Sequence, residues 1–261
     1  MRATSASPDR DRRLRFVVPV LLPVLVALTA WTATWFNPNF YFFADTAEGA
    51  YGQWYELGQQ LRAGHWPLLN PDAWMAGNYV AEGQWGLWNP VVALIGVLVS
   101  FGGDAAVAST LIKVVFLAVG ALGFYFWARH EGAAIGWAAL VGFSAAVTGQ
   151  TLYQDAASWV TNLMVWSGFG WAAWGLRCFG ERKGSALWPA LVTYLIITVG
   201  YLQGTLMLIL LYLALLVDSA VARRWVVVLR TFAVGVVSGL VALAVFLPGM
   251  MTSAVTERTQ E

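Results

Sequence analysis

The sequence predicts an all-α, polytopic membrane protein with about seven transmembrane helices and one re-entrant or interfacial segment. Three observations carry this expectation. Of 261 residues, 59% are hydrophobic and only 11% are charged, where a soluble domain has about 25% charged residues. Long apolar runs recur along the chain, several near the roughly 20 residues needed to cross a bilayer. The basic residues then fall on alternate loops, as the positive-inside rule requires.

The first element is residues 14–36. Arg10, Arg12, Arg13 and Arg15 precede an apolar run from Phe16 to Phe36. A secretory signal would be shorter and end at small residues before polar sequence. Arg12-Arg13 loosely matches a twin-arginine signal, but an uncleaved first transmembrane helix fits better. Residues 1–13 are expected to form a cytoplasmic tail, with 14–261 as the membrane module.

Further apolar segments run over 89–101, 105–128, 133–149, 158–177, 186–199, 203–217 and 225–247. The 89–101 segment is short for a span and is read as re-entrant or interfacial. With it set aside, seven segments cross and the N-terminus lies inside. Arg129, Arg177, Arg182, Lys183, Arg223, Arg224 and Arg230 then face the cytoplasm. Arg62 and Arg258 fall outside, as does the C-terminal end, and Lys113 lies within a helix. If 89–101 spans instead, the Arg177–Lys183 loop moves outside and the bias disappears.

Other composition narrows the function. A net charge of +1 gives no basic excess for nucleic acid. One cysteine, Cys178, cannot form an internal disulfide, and His65 and His130 show no metal-ligand spacing. Gly235-x-x-x-Gly239 reads as a helix-packing motif. No repeat suggests an inverted-repeat transporter.

The loop over 37–89 is too long for a simple connection. Its residues Tyr51, Trp54, Tyr55, Leu57 and Leu61 recur at helical spacing, which predicts an interfacial amphipathic helix. Gly64 would end that helix, and Pro67 would stop it resuming. Asp45 follows the first membrane helix directly. A carboxylate at a membrane rim suits a general base. The same residue also suits a helix cap before Thr46, with Glu48 at the third position.

Asp45, Gln53, the run Leu61-Arg62-Ala63-Gly64-His65-Trp66-Pro67-Leu68-Leu69-Asn70-Pro71, Gly77-Asn78, Gln84 and Asn89-Pro90 together resemble the bacterial YfhO-type membrane protein family. Weaker likeness extends to Trp166–Glu181, to Gly200-Tyr201-Leu202-Gln203-Gly204, and to Leu247-Pro248, Ser253 and Arg258. That family is similar to the GT-C superfamily of glycosyltransferases, which use polyprenyl-phosphate-linked sugars. Superfamily chains are longer, so the present sequence corresponds to their N-terminal module.

The resemblance implies a GT-C-like fold in the bacterial cytoplasmic membrane. It implies an inverting transfer of sugar from the lipid carrier to a cell-envelope glycan, lipid or protein on the outer side. By position Asp45 would be the base. Gln53, Arg62, His65, Asn78, Gln84, Asp155, Gln203 and Arg258 would contact substrate. Arg258, ahead of Arg62, would meet the leaving phosphate, since arginine binds phosphate bidentately. Asp155, with Asp45 or Glu48, would suit Mg or Mn, or is a solvated loop aspartate. His65 equally suits a helix end. Trp54, Trp66, Trp74, Trp85 and Trp88 would stack on sugars or anchor the interface. Two other readings stay open: a flippase or transporter of a lipid-linked saccharide, and a non-catalytic scaffold or truncated fragment.

Overall fold

A computed structural model describes residues 8–68 and 85–253. Among these residues every regular element is helical. In chain order they are α1 (Pro8–Trp31), α2 (Ala33–Phe36), α3 (Tyr51–Arg62), α4 (Pro90–Val99), α5 (Ala105–His130), α6 (Ile135–Val147), α7 (Val160–Gly180), α8 (Leu187–Thr198), α9 (Leu202–Val221) and α10 (Trp225–Ser253). Two π-helical turns, Thr46–Ala50 and Gln150–Ala156, precede α3 and follow α6.

Among the described residues five stretches are long and apolar enough to cross a membrane: Arg13–Phe36, Ala105–His130, Ile135–Ala156, Leu202–Val221 and Trp225–Met251. Their outer faces carry exposed Val20, Leu21, Leu28, Leu210, Leu213, Leu240 and Leu243. Apolar side chains presented continuously in this way meet lipid, not water. The chain is therefore a helical membrane protein.

Two of the seven expected crossings differ from these five. α7 has the length, but Asn162, Ser167, three tryptophans and four glycines lower its hydropathy. It is the interior helix, packed on α5, α8 and α10. A helix surrounded by protein need not be uniformly lipophilic. α8 is 12 residues long and rises about 18 Å, short of a hydrocarbon core of roughly 30 Å. α1 also begins at Pro8, before the tail boundary drawn at residue 13.

Glycines set the closest helix crossings. A Cβ on Gly170 of α7 would lie 2.3 Å from Phe124 N of α5. One on Gly142 of α6 would lie 2.4 Å from Ala121 O of α5. Backbones that approach so closely gain dispersion contacts that larger residues forbid. In α10, by contrast, a Cβ on Gly235 would touch Tyr212 at 3.3 Å, and one on Gly239 would meet open space.

The described part of the long loop packs around a second such crossing. Trp54, Leu57 and Gly58 form the buried face of α3, and α3 packs on α4. A Cβ on Gly58 would sit 1.9 Å from Gly96 O of α4. The 89–101 segment is thus a short helix docked under the amphipathic one. Gly64, at φ +81, ends α3 as expected: Gly64 N–H donates to Leu61 O at 3.1 Å and His65 N–H to Gln60 O at 2.9 Å. This is a Schellman closure.

Asn89 begins α4. Its Oδ1 accepts from Val91 N at 2.9 Å and Val92 N at 3.3 Å, while Nδ2 donates to Leu195 O of α8 at 2.7 Å. Pro90 fills the first helical position, where no N–H is needed. Asn89→Ala removes the cap and the bond to Leu195 O. We expect a loss of about 2 kcal/mol, read as a lower midpoint in detergent unfolding.

A charge cluster closes the opposite end of the bundle. Arg177 bonds Glu131 at 2.9 Å and Asp218 at 2.7 Å, tying α7 to the ends of α5 and α9. Glu181 meets Lys183 at 2.6 Å, His130 at 3.4 Å and Arg224 at 3.8 Å. The hydrogen bond from Lys183, with help from His130, holds the Glu181 carboxyl below its ordinary value of 4.5. A depressed carboxyl stabilises the fold above pH 4.5, and that contribution is lost as the pH falls through the lower folded-state value. Unfolding of Glu181→Gln should accordingly change less with pH below 4.5 than unfolding of the parent chain.

Candidate functional site

The chain from Asn37 to Asp45 folds back over the bundle. Tyr41 is wholly buried, and its hydroxyl donates to Ala30 O at 2.7 Å. Its carbonyl accepts from Ser109 Oγ at 2.5 Å and Lys113 Nζ at 2.7 Å. Ala44 then adopts φ +43, a left-handed conformation that a non-glycine residue takes at a cost. That turn delivers Asp45 and starts the first π-helical turn. Such turns frequently mark functional sites.

Asp45 stands at the cap position of that turn, yet its side chain makes no capping hydrogen bond. The capping box that Asp45 and Glu48 could have formed is not made. Both carboxylates instead line a cavity of about 400 Å³ with Gly49, Ala50, Trp85, Ser158, Trp159, Val160 and Thr161. The Trp85 ring lies over Gly49, where a Cβ would come within 2.7 Å of it. Thr46 closes the floor by donating to Ser158 O at 2.6 Å. The cavity thus combines carboxylates, hydroxyls and two indoles. Carboxylates and hydroxyls suit hydroxyl-rich ligands, and indole faces pack on apolar ring faces.

A second, larger space lies further along α7. This apolar groove, about 600 Å³, runs between α4, α5, α7 and α8. Leu94, Leu98, Leu111, Val115, Val119 and Trp171 are among its walls. Met164 of the groove lies one helical turn beyond Val160 of the cavity.

The other residues expected to bind substrate are dispersed. Gln53 is half-buried in the first turn of α3. Arg62 donates to Ser100 O at 2.9 Å and lies 4.0 Å over the Phe101 ring, joining α3 to the end of α4. His65 is exposed just past α3, where its amide takes part in the helix closure. Asp155 is buried in the second π-helical turn and accepts from Asn162 Nδ2 at 2.8 Å. It is not among the cavity-lining residues. Gln203 is exposed in the first turn of α9. Asn78, Gln84 and Arg258 lie outside the described residues, as does Trp74.

Ser158, Trp159 and Thr161 were not singled out from the sequence, although they lie a few residues beyond Asp155. Among the described residues no group of three or more His, Cys, Asp or Glu could hold a metal. No protein-family model, curated protein or solved structure matches the chain.

Proposed function

We propose that the chain is the membrane module of an inverting glycosyltransferase that takes its sugar from a polyprenyl-phosphate carrier, with Asp45 as general base. One observation carries the reading. An acidic, indole-flanked cavity lined by an uncapped Asp45 lies one turn of α7 away from an apolar groove of about 600 Å³ between helices. A lipid-linked sugar has those two parts, joined at one phosphate.

In this reading the acceptor hydroxyl lies against Asp45 in the cavity. Its oxygen attacks the anomeric carbon as the bond from that carbon to the phosphate oxygen breaks. The phosphate leaves with the electron pair, and Asp45 takes the hydroxyl proton. Trp85 and Trp159 hold the sugar faces. The leaving phosphate needs positive charge; Arg258 is the residue we assign to it, because Arg62 is engaged by Ser100 and Phe101. Asp45 and Glu48 offer oxygen ligands of the kind Mg or Mn prefers. Two carboxylates do not make a dedicated cage, so no step here is routed through a metal.

The topology belongs to the same proposal. α7 and α8, with the residues flanking α8, complete seven crossings, with the N-terminus inside a bacterial cytoplasmic membrane. Arg129, Arg177, Arg182, Lys183, Arg223, Arg224 and Arg230 all belong to the helix ends and loops of the charge-cluster end, which supports placing that end in the cytoplasm. The cavity then opens on the outer side. The acceptor is a cell-envelope glycan, lipid or protein.

The test is transfer of radiolabelled sugar from a polyprenyl-phosphate donor in membranes carrying the parent chain or Asp45→Asn at matched expression. Transfer by the parent and its loss in the variant supports the reading. Transfer no greater than in empty membranes from either chain overturns it. Movement of the donor across the bilayer without transfer would point to a flippase.

A further inference from the structure

Lys113 lies within α5 and is completely buried, at 0% exposure. Its Nζ bonds three oxygens: Tyr41 O at 2.7 Å, Thr46 Oγ1 at 2.8 Å and Ala157 O at 3.1 Å. The two carbonyls can only accept. Thr46 commits its own hydroxyl hydrogen to Ser158 O, so its oxygen must accept from Lys113 as well. Three accepting oxygens require three N–H bonds, which only the ammonium form has. A neutral amine would turn a lone pair towards one of them.

Burying that charge is costly, and well-packed apolar residues in its place are often at least as stable. Its partners explain what the charge does there. Thr46 follows Asp45, and Ala157 precedes Ser158; Asp45 and Ser158 both line the cavity, from segments more than 100 residues apart in the chain. Tyr41 O anchors the start of the turn that delivers Asp45. One nitrogen thus fastens both walls to α5. All three of its donors are already used by the protein, so it has none left for a substrate phosphate.

We infer that Lys113 is the positioning residue of the Asp45–Glu48 cavity: it pins the two wall segments together and sets a fixed positive charge beside the two carboxylates. The inference rests on the cavity being the functional site, and it is tested first without any transfer assay. In the full chain carrying Cys178→Ser, Glu48→Cys is labelled in membranes with cationic and anionic methanethiosulfonates. The ratio of the two rates reads the sign of the local field.

Lys113→Gln keeps polar hydrogen bonds and removes the charge. It should raise the cation-to-anion rate ratio about tenfold, the order expected for one unit charge within roughly 10 Å at intermediate dielectric. Lys113→Arg should keep the ratio within about twofold of the parent and serves if the neutral variant does not accumulate. An unchanged ratio in Lys113→Gln overturns the inference, even if both rates rise together as they would on simple loosening. A large ratio change in Lys113→Arg overturns it too. In the transfer assay, Lys113→Gln should lower kcat with KM for the donor nearly unchanged, and Lys113→Arg should restore kcat. If the parent shows no transfer, the glycosyltransferase reading fails while the labelling result stands.

Discussion

Asp45→Asn should reduce sugar transfer by at least about 100-fold, within the range expected on losing a general base. Asparagine has nearly the shape of aspartate but cannot take up the acceptor proton. The structure makes this variant interpretable. Asp45 is exposed, and its side chain makes no cap hydrogen bond, so the substitution leaves the turn that carries it undisturbed. KM for the lipid donor should stay within about threefold, because the base acts on the acceptor and only in the transition state. Asp45→Glu should recover part of the rate, since its carboxylate is displaced by one methylene. Glu48→Gln separates the two cavity carboxylates: a fall as large as that in Asp45→Asn would transfer the role of base to Glu48. Thr46→Val would be a poor control, because it breaks the bonds to Ser158 and Lys113 together.

What could be read from the sequence was local. Gly64 announced the end of α3 because only a left-handed residue closes a helix that way cheaply. The short apolar run over 89–101 located α4, while the Asn89 cap and the place of Pro90 at the first helical position came only with the structure. The apolar runs announced α1, α5, α6, α9 and α10 through lipid exposure alone. Asp45 was legible as a candidate by its place after the first membrane helix. Its freedom from capping was not, because Asp45 and Glu48 stand at the spacing of a capping box.

What escaped were contacts between distant parts of the chain. The bonds from Lys113 reach 72 residues back to Tyr41 and 44 forward to Ala157. No periodicity records such a link. Ser158 joins the cavity only because Thr46, 112 residues earlier, donates to it. α7 was expected as an ordinary crossing, since hydropathy cannot show whether a helix faces lipid or neighbours. Its small residues and tryptophans make sense only once α5 and α8 are packed on it.

That packing gives the largest expected effect on stability. Gly170→Ala should destabilise the bundle by about 3 kcal/mol or more, at the upper end of overpacking costs. The added Cβ would stand 2.3 Å from Phe124 N and 2.4 Å from Gly123 C. Both are backbone atoms of α5, so no side-chain rotation relieves the clash and the helices must move apart. The displacement passes to the site, because α5 carries Lys113 and α7 begins at the cavity wall. Gly136→Ala is the matched control. It lies in helix α6 with nothing within 4 Å of the new Cβ, and alanine there should be neutral or stabilising by up to about 1 kcal/mol. Unfolding midpoints in mixed detergent micelles decide the point. A drop confined to Gly170→Ala establishes the α5–α7 crossing as the structural core beneath the cavity. Equal midpoints in both variants would mean that the two helices do not meet backbone to backbone, and the geometry argued for the site would fall with them.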